Sequence, residues 1–123
     1  MALSDEQTAR VIELAGNFAR EGETTQLLEF LDHGLPVDAQ NAAGDSLLML
    51  AAYHGHAETV AALVGRGADV DLRNARDQSP IAGAMFKGER AVVQVLLDAG
   101  ADLDAGTPPA RQAAAMFGYE LDG

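Results

Sequence analysis

Between residues 41 and 106 the apolar positions fall into short clusters with helical spacing, separated by polar, glycine-marked turns. In "SLLMLAAYHG" the apolar run from Leu47 to Tyr53 stands between a serine and a glycine. In "HAETVAALVGRG" Val60, Leu63 and Val64 recur three and four apart, the stripe of an amphipathic helix. Ser46 and Ser79 are suited to cap a helix N-terminus. Pro80 suits the first helical position, where its missing N–H would be unbonded anyway. Gly55 and Gly88 allow the left-handed turn that ends a helix. Gly67 and Gly100 close the second kind of helix, and "ADVD" or "ADLD" leads out into an extended turn. The pattern predicts paired short helices. Neither partner is long enough to stand alone, so each pair must stack on the next.

The clusters repeat with a period of 33 residues: residues 41–73 lie over 74–106. Asn41 meets Asn74, Ser46 meets Ser79, Leu48 meets Ile81, Gly55 meets Gly88, Val60 meets Val93 and Leu63 meets Leu96. "GAD" at 67–69 falls on "GAD" at 100–102. A degraded copy precedes them, with Leu14, Phe18, Gly22, Leu27, Leu31 and Gly34 in register. That first unit opens on a predicted capping box, Ser4 with Gln7, and on a longer helix. The last unit, "TPPARQAAAMFGYELDG", fits when Gly118 is set on Gly88 at an offset of 30, giving one helix from about Pro109 to Phe117. The expected organisation is a single domain over 1–123: an N-terminal capping repeat at 1–40, repeats at 41–73 and 74–106, and a truncated C-terminal cap at 107–123. Gly83, in mid-helix, should cost its repeat roughly 1 kcal/mol against alanine, making 74–106 the softer unit.

A 33-residue helix–turn–helix–turn unit resembles the ankyrin repeat, whose pattern is roughly G-x-T-P-L-H-x-A-A-x-x-G-H…V…L-L…G-A-D. "GDSLLMLAAYHGHAETVAALVGRGADVD" matches most of these positions and "SPIAGAMFKGERAVVQVLLDAGADLD" many, and the resemblance extends over about residues 8–118. Serine replaces the family's threonine in both repeats, Leu47 replaces its proline in the first, and Met49 and Ala82 replace the histidine that usually ties neighbouring repeats together. The resemblance implies an all-α ankyrin repeat solenoid of stacked helix–turn–helix units with short extended turns. It also implies a concave face, lined by the turns and first helices, that binds a partner protein.

In that family the turn residues and the two positions before the helix-ending glycine vary with the partner. Here those are Ala42, Ala43, Asp45, Tyr53 and His54 in one repeat, and Ala75, Arg76, Gln78, Phe86 and Lys87 in the next. Arg20 and Glu21 are their counterparts in the first unit. Tyr53 and Phe86, 33 apart, are expected side by side on one face, with Arg73, Arg76 and Lys87 nearby. Aromatics and arginine are the usual interface anchors. The plainer reading stays open: such a tyrosine can pack on the adjacent helix, and Arg73 and Arg76 can merely offset Asp71 and Asp77.

Charge changes the picture in one respect. The formal net charge is −11, which opposes phosphate binding and argues against nucleic acid. Yet residues 66–90 hold five basic side chains against four acids, a neutral-to-basic island in an acidic chain. The island favours an acidic epitope, whereas the net charge favours a basic partner by steering. Composition excludes more than it assigns: without cysteine there is no disulfide, thiolate nucleophile or Cys-based zinc site. No apolar run is long enough for a bilayer, and the N-terminal stretch lacks a basic region followed by an apolar one, so a cytoplasmic protein away from membranes is expected. Arginine supplies seven of the eight basic residues and alanine is abundant, which hints at a high-GC bacterial source.

The close pair in "YHGH", His54 and His56, invites a metal reading. The two lie across a helix-ending glycine, however, and should point apart, and the nearby acids complete no zinc motif. In the repeat pattern the second histidine begins the next helix and bonds locally. The acids of "DVD" and "DLD" recur with the repeat and belong to turn geometry, lacking the loop of a calcium site. No catalytic motif, cofactor or metal is expected. The leading expectation is a non-catalytic protein-interaction module binding through Asp45, Tyr53, His54, Arg73, Arg76, Gln78, Phe86 and Lys87. A small acidic inhibitor or immunity-type protein for a basic partner is the alternative, and a metal-dependent enzyme or sensor using His54 and His56 ranks behind it. A monomer is expected, with Phe117 and Leu121 offering a surface for weak self-association.

Overall fold

Local chemistry sets the start of three helices and the end of several. The computed structural model describes residues 3–119. Its elements are α1 (Asp5–Glu21), α2 (Thr24–Asp32), α3 (Leu47–Tyr53), α4 (Ala57–Gly65), α5 (Pro80–Phe86), α6 (Arg90–Asp98) and α7 (Ala110–Phe117). The Ser4–Gln7 capping box forms at the start of α1. The Ser46 and Ser79 hydroxyls accept from the backbone N–H of Met49 and Ala82, at 3.0 and 3.3 Å. Pro80 occupies the first turn of α5. After α3 and α5 the chain passes through Gly55 and Gly88 at φ 81° and 72°, the left-handed region that costs glycine little.

The helices form two layers. In one, α1, α3, α5 and α7 pack side by side in that order; α2, α4 and α6 pair with α1, α3 and α5 to make the other. The first layer buries small faces at its ends, Ala15, Gly16 and Ala19 in α1 and Ala110, Ala113 and Ala114 in α7. In the middle, α3 is buried from Leu47 to Ala52. Leu27, Val60, Leu63, Val92 and Leu96 complete the core from the second layer, all fully buried. Burying each leucine is worth about 2–3 kcal/mol, more than the propensity of a nine-residue helix supplies.

Between the helix pairs the chain forms hairpin fingers that stack on one another. Asn41 Oδ1 accepts from Ala43 and Asp45 N–H, and Asn74 Oδ1 from Arg76 and Gln78 N–H. Gly44 tops the first finger at φ 79°, and Asp77 takes the same left-handed turn at φ 60° in the second. The Ala75 N–H donates to the Ala43 carbonyl across the stack at 3.1 Å. The recurring acids serve this geometry: Asp38 and Asp71 accept from Asp69 and Asp102 N–H of the following unit, at 2.9 and 2.7 Å.

Two joints fasten successive units on the helix side, and one corrects the sequence reading. His56 does not bond locally: its Nε2–H donates to the Arg20 carbonyl at the end of α1, at 2.7 Å. The ring lies so close over Gly22 that a Cβ there would come within 2.6 Å of Nδ1. Glu89, the counterpart of His56, lies over Gly55 in the same way. A hydroxyl pair, Thr24 and Thr59 at 2.7 Å, joins α2 to α4.

Candidate partner-binding site

The fingers and the C-terminal ends of the first-layer helices enclose a groove of about 320 Å³. Met49 and Leu50 of α3 reach its lining, with Tyr53 and His54 at the end of the same helix. The fingers contribute Ala43, Asp45, Asn74, Arg76 and Gln78, and Arg20 comes from α1. Tyr53 is 43 % exposed even though α3 is otherwise buried. Its ring lies beside Gly83 of α5, close enough that a Cβ there would be 3.5 Å from Cδ1. Lys87 Nζ stands 5.1 Å from the Tyr53 ring centroid, a cation–π contact.

Electrostatically the groove differs from the molecule around it. Arg20 and Arg76 border it, and its one carboxylate, Asp45, accepts from Asn74 Nδ2 at 2.9 Å. Partial burial first, and then the charges of Arg20, His56 and Lys87, push the His54 imidazole below its ordinary range. His54 meets the Tyr53 ring edge-on at 5.8 Å while His56 turns down to Arg20, so the two imidazoles diverge. Among the described residues no group of three or more His, Asp or Glu side chains could hold a metal ion.

Of the residues singled out from sequence, Asp45, Tyr53, His54, Arg76 and Gln78 line this groove together. Phe86 and Lys87 lie on the adjoining helix end, and Arg73 pairs with Asp77 at 3.3 Å. Tyr53 and Phe86 do not pair as rings. Phe86 packs edge-on against Phe117 at 5.0 Å instead, because the shortened last unit brings Phe117 of α7 beside it. Sequence reasoning missed Met49, Leu50 and Asn74: Met49 entered only as the replacement for the family's histidine, Leu50 only within an apolar run, and Asn74 only as the counterpart of Asn41. It also missed a more apolar hollow of about 580 Å³ at the first helix pair, formed by Leu3, Val11, Phe30, Leu35 and neighbours. Phe117 is exposed, and Leu121, the other residue of the expected self-association surface, lies outside the described residues.

Two layers of stacked helix pairs joined by hairpin fingers define a helical repeat solenoid. A family model of three ankyrin repeats matches residues 16–107, and the chain belongs to the ankyrin repeat family. It is 46 % identical over 56 residues to an ankyrin repeat protein of Pseudomonas aeruginosa, a match covering 46 % of this chain and 33 % of that one. It is 43 % identical over 47 residues to acyl-CoA-binding domain-containing protein 1 of Arabidopsis thaliana, covering 38 % of this chain and 14 % of that one. The chain thus spans a third or less of these relatives' lengths. Among solved structures, the human ASB11 ankyrin repeat domain superposes with a TM-score of 0.68 at 28 % identity, covering 72 % of this chain and 40 % of that one. Ankyrin repeats are in general protein–protein interaction modules and typically non-enzymatic. Among the described residues no helix is long and apolar enough to cross a membrane.

Proposed function

We propose that this protein is a non-catalytic, cytoplasmic interaction module that holds a partner protein on its concave face. Asp45, Tyr53, His54, Arg76 and Gln78 contact the partner from the groove, Phe86 and Lys87 from the next helix end, and Arg73 from the rim. Residues 1–40 and 107–123 act as caps on the two central repeats. The observation that carries this reading is the exposure of Tyr53 and Phe86, at 43 % and 45 %, on helices whose other large apolar side chains are buried. Large aromatic rings left in water beside cations are what interface anchors look like before a partner arrives. Affinity capture from the native cell, comparing wild type with Tyr53→Ala/Phe86→Ala, tests it. A protein retained by wild type and lost by the double variant, with unchanged circular dichroism, is expected; equal retention would sink the reading.

The net charge of −11 favours a second reading, an acidic inhibitor of a basic protein. The two differ in salt response. A basic partner steered by the whole field associates more slowly as salt rises, whereas a partner held by the groove's own cations has no such acceleration to lose.

A further inference from the structure

Equivalent positions recur at the helix ends of the first layer. Two residues before each left-handed glycine stand Arg20, Tyr53, Phe86 and Met116; one residue before stand Glu21, His54, Lys87 and Phe117. They sit at the ends of α1, α3, α5 and α7, which pack in that order, so the two rows run across the ends of the first-layer helices.

Polarity changes along the rows. Around α3, Arg20 of α1 and Arg76 of the second finger flank the groove, Arg20 also donating to Asn17 Oδ1 at 2.7 Å, and Asp45 is engaged by Asn74. Glu21, the only acid of the rows, does not line the groove. In the middle, Lys87 covers the Tyr53 ring. At the α5–α7 end the surface is apolar: Phe86 and Phe117 pair edge-on, with Met116 adjoining, at 45, 42 and 64 % exposure.

We infer that the face takes an extended peptide segment with two seats: an acidic residue between Arg20 and Arg76, and a large apolar residue on Phe86, Met116 and Phe117. The inference rests on the concave-face reading above and adds the chemistry and order of the occupant. Charge complementarity selects the acid. A carboxylate in contact with two guanidiniums lies well inside the Debye length of about 8 Å at physiological salt, where screening leaves the pairing strong. The first seat is centred on α3 and the second lies between α5 and α7, one and a half helix spacings away, about 12–15 Å, which an extended chain covers in about four or five residues. A helical segment would need about eight to ten, with correspondingly more chain to order on binding.

A phage-displayed library of random 16-residue peptides, selected on the intact protein, tests this. Enriched clones should share an acidic and a large apolar residue four or five positions apart. They should lose at least tenfold in affinity on Arg20→Ala/Arg76→Ala and on Phe86→Ala/Phe117→Ala, with circular dichroism unchanged. Clones enriched in basic or neutral residues at the first seat, or spaced eight or more apart, yet lost on Tyr53→Ala, would overturn the inference and leave the concave-face reading standing. Clones indifferent to Tyr53→Ala and to both double variants would overturn both. Failure to enrich any clone would overturn the inference alone, since a folded partner protein could still occupy the face.

Discussion

Replacing Gly83 by alanine isolates the cost of one glycine from the packing around it. Gly83 lies in the interior of α5, where glycine costs roughly 1 kcal/mol against alanine through backbone entropy. A Cβ there would stand 3.5 Å from Tyr53 Cδ1 and 3.9 Å from Met49 Sδ, ordinary van der Waals contacts with no overlap to subtract. The expected gain is therefore about 1 kcal/mol. With an unfolding entropy of about 2.1 cal/mol/K per residue, this raises the Tm of the 123-residue chain by about 4 °C. Two other helical glycines serve as controls. Gly65, at the end of α4, has open space around its Cβ position, so alanine there gains somewhat less than at a helix interior. At Gly16 a Cβ would press to 3.1 Å from Leu50 Cδ1, so the same entropic gain is offset by displacing a core leucine. Urea unfolding followed by circular dichroism gives the three differences, with an unchanged m-value showing that the denatured state is not the source. If Gly83→Ala destabilised while Gly65→Ala did not, the tyrosine would sit closer on α5 than described, and the packing of the aromatic row would be refuted.

Three further outcomes follow from the joints and the groove. His56→Ala removes the bond to the Arg20 carbonyl and should cost about 1–2 kcal/mol in urea unfolding, with no response to added zinc in either protein. Gly22→Ala should cost at least as much, because φ is 72° and the new Cβ meets the imidazole; combining it with His56→Ala should cost less than the sum, since the ring it strikes is gone. His54 should titrate below about 6.5 by NMR, and Arg20→Ala should move its midpoint up. Because the folded imidazole resists protonation, its contribution to stability is present above about pH 6.5 and declines as pH falls through the lower folded value; His54→Asn should flatten that part of the stability profile.

The elements legible from sequence are those set by neighbours in the chain. The 33-residue period, the serine caps, the left-handed Gly55 and Gly88 and the helix ending at Gly118 all depend on a few adjacent residues, and each is found where expected. Contacts that depend on how one unit is rotated over the next were less legible. His56 finds its acceptor 36 residues away, and nothing in "GHAE" distinguishes that from a local cap. Met49 and Leu50 fall inside an unbroken apolar run, which does not say which of its members meets a groove, and both are largely buried while still reaching its lining. The pairing of Phe86 with Phe117 escaped because the last unit is three residues short and its ring sits one position out of the row. Arg73 was readable: Asp77 is four residues on, and the two pair across one finger.

The most direct test of the concave face as the working surface is hydrogen–deuterium exchange on the complex with the captured partner. The account predicts slowed exchange in the fingers at 41–45 and 74–78 and at the ends of α3 and α5 around Tyr53 and Phe86. Protection confined instead to α2, α4 and α6, with the fingers exchanging as in the free protein, would contradict it.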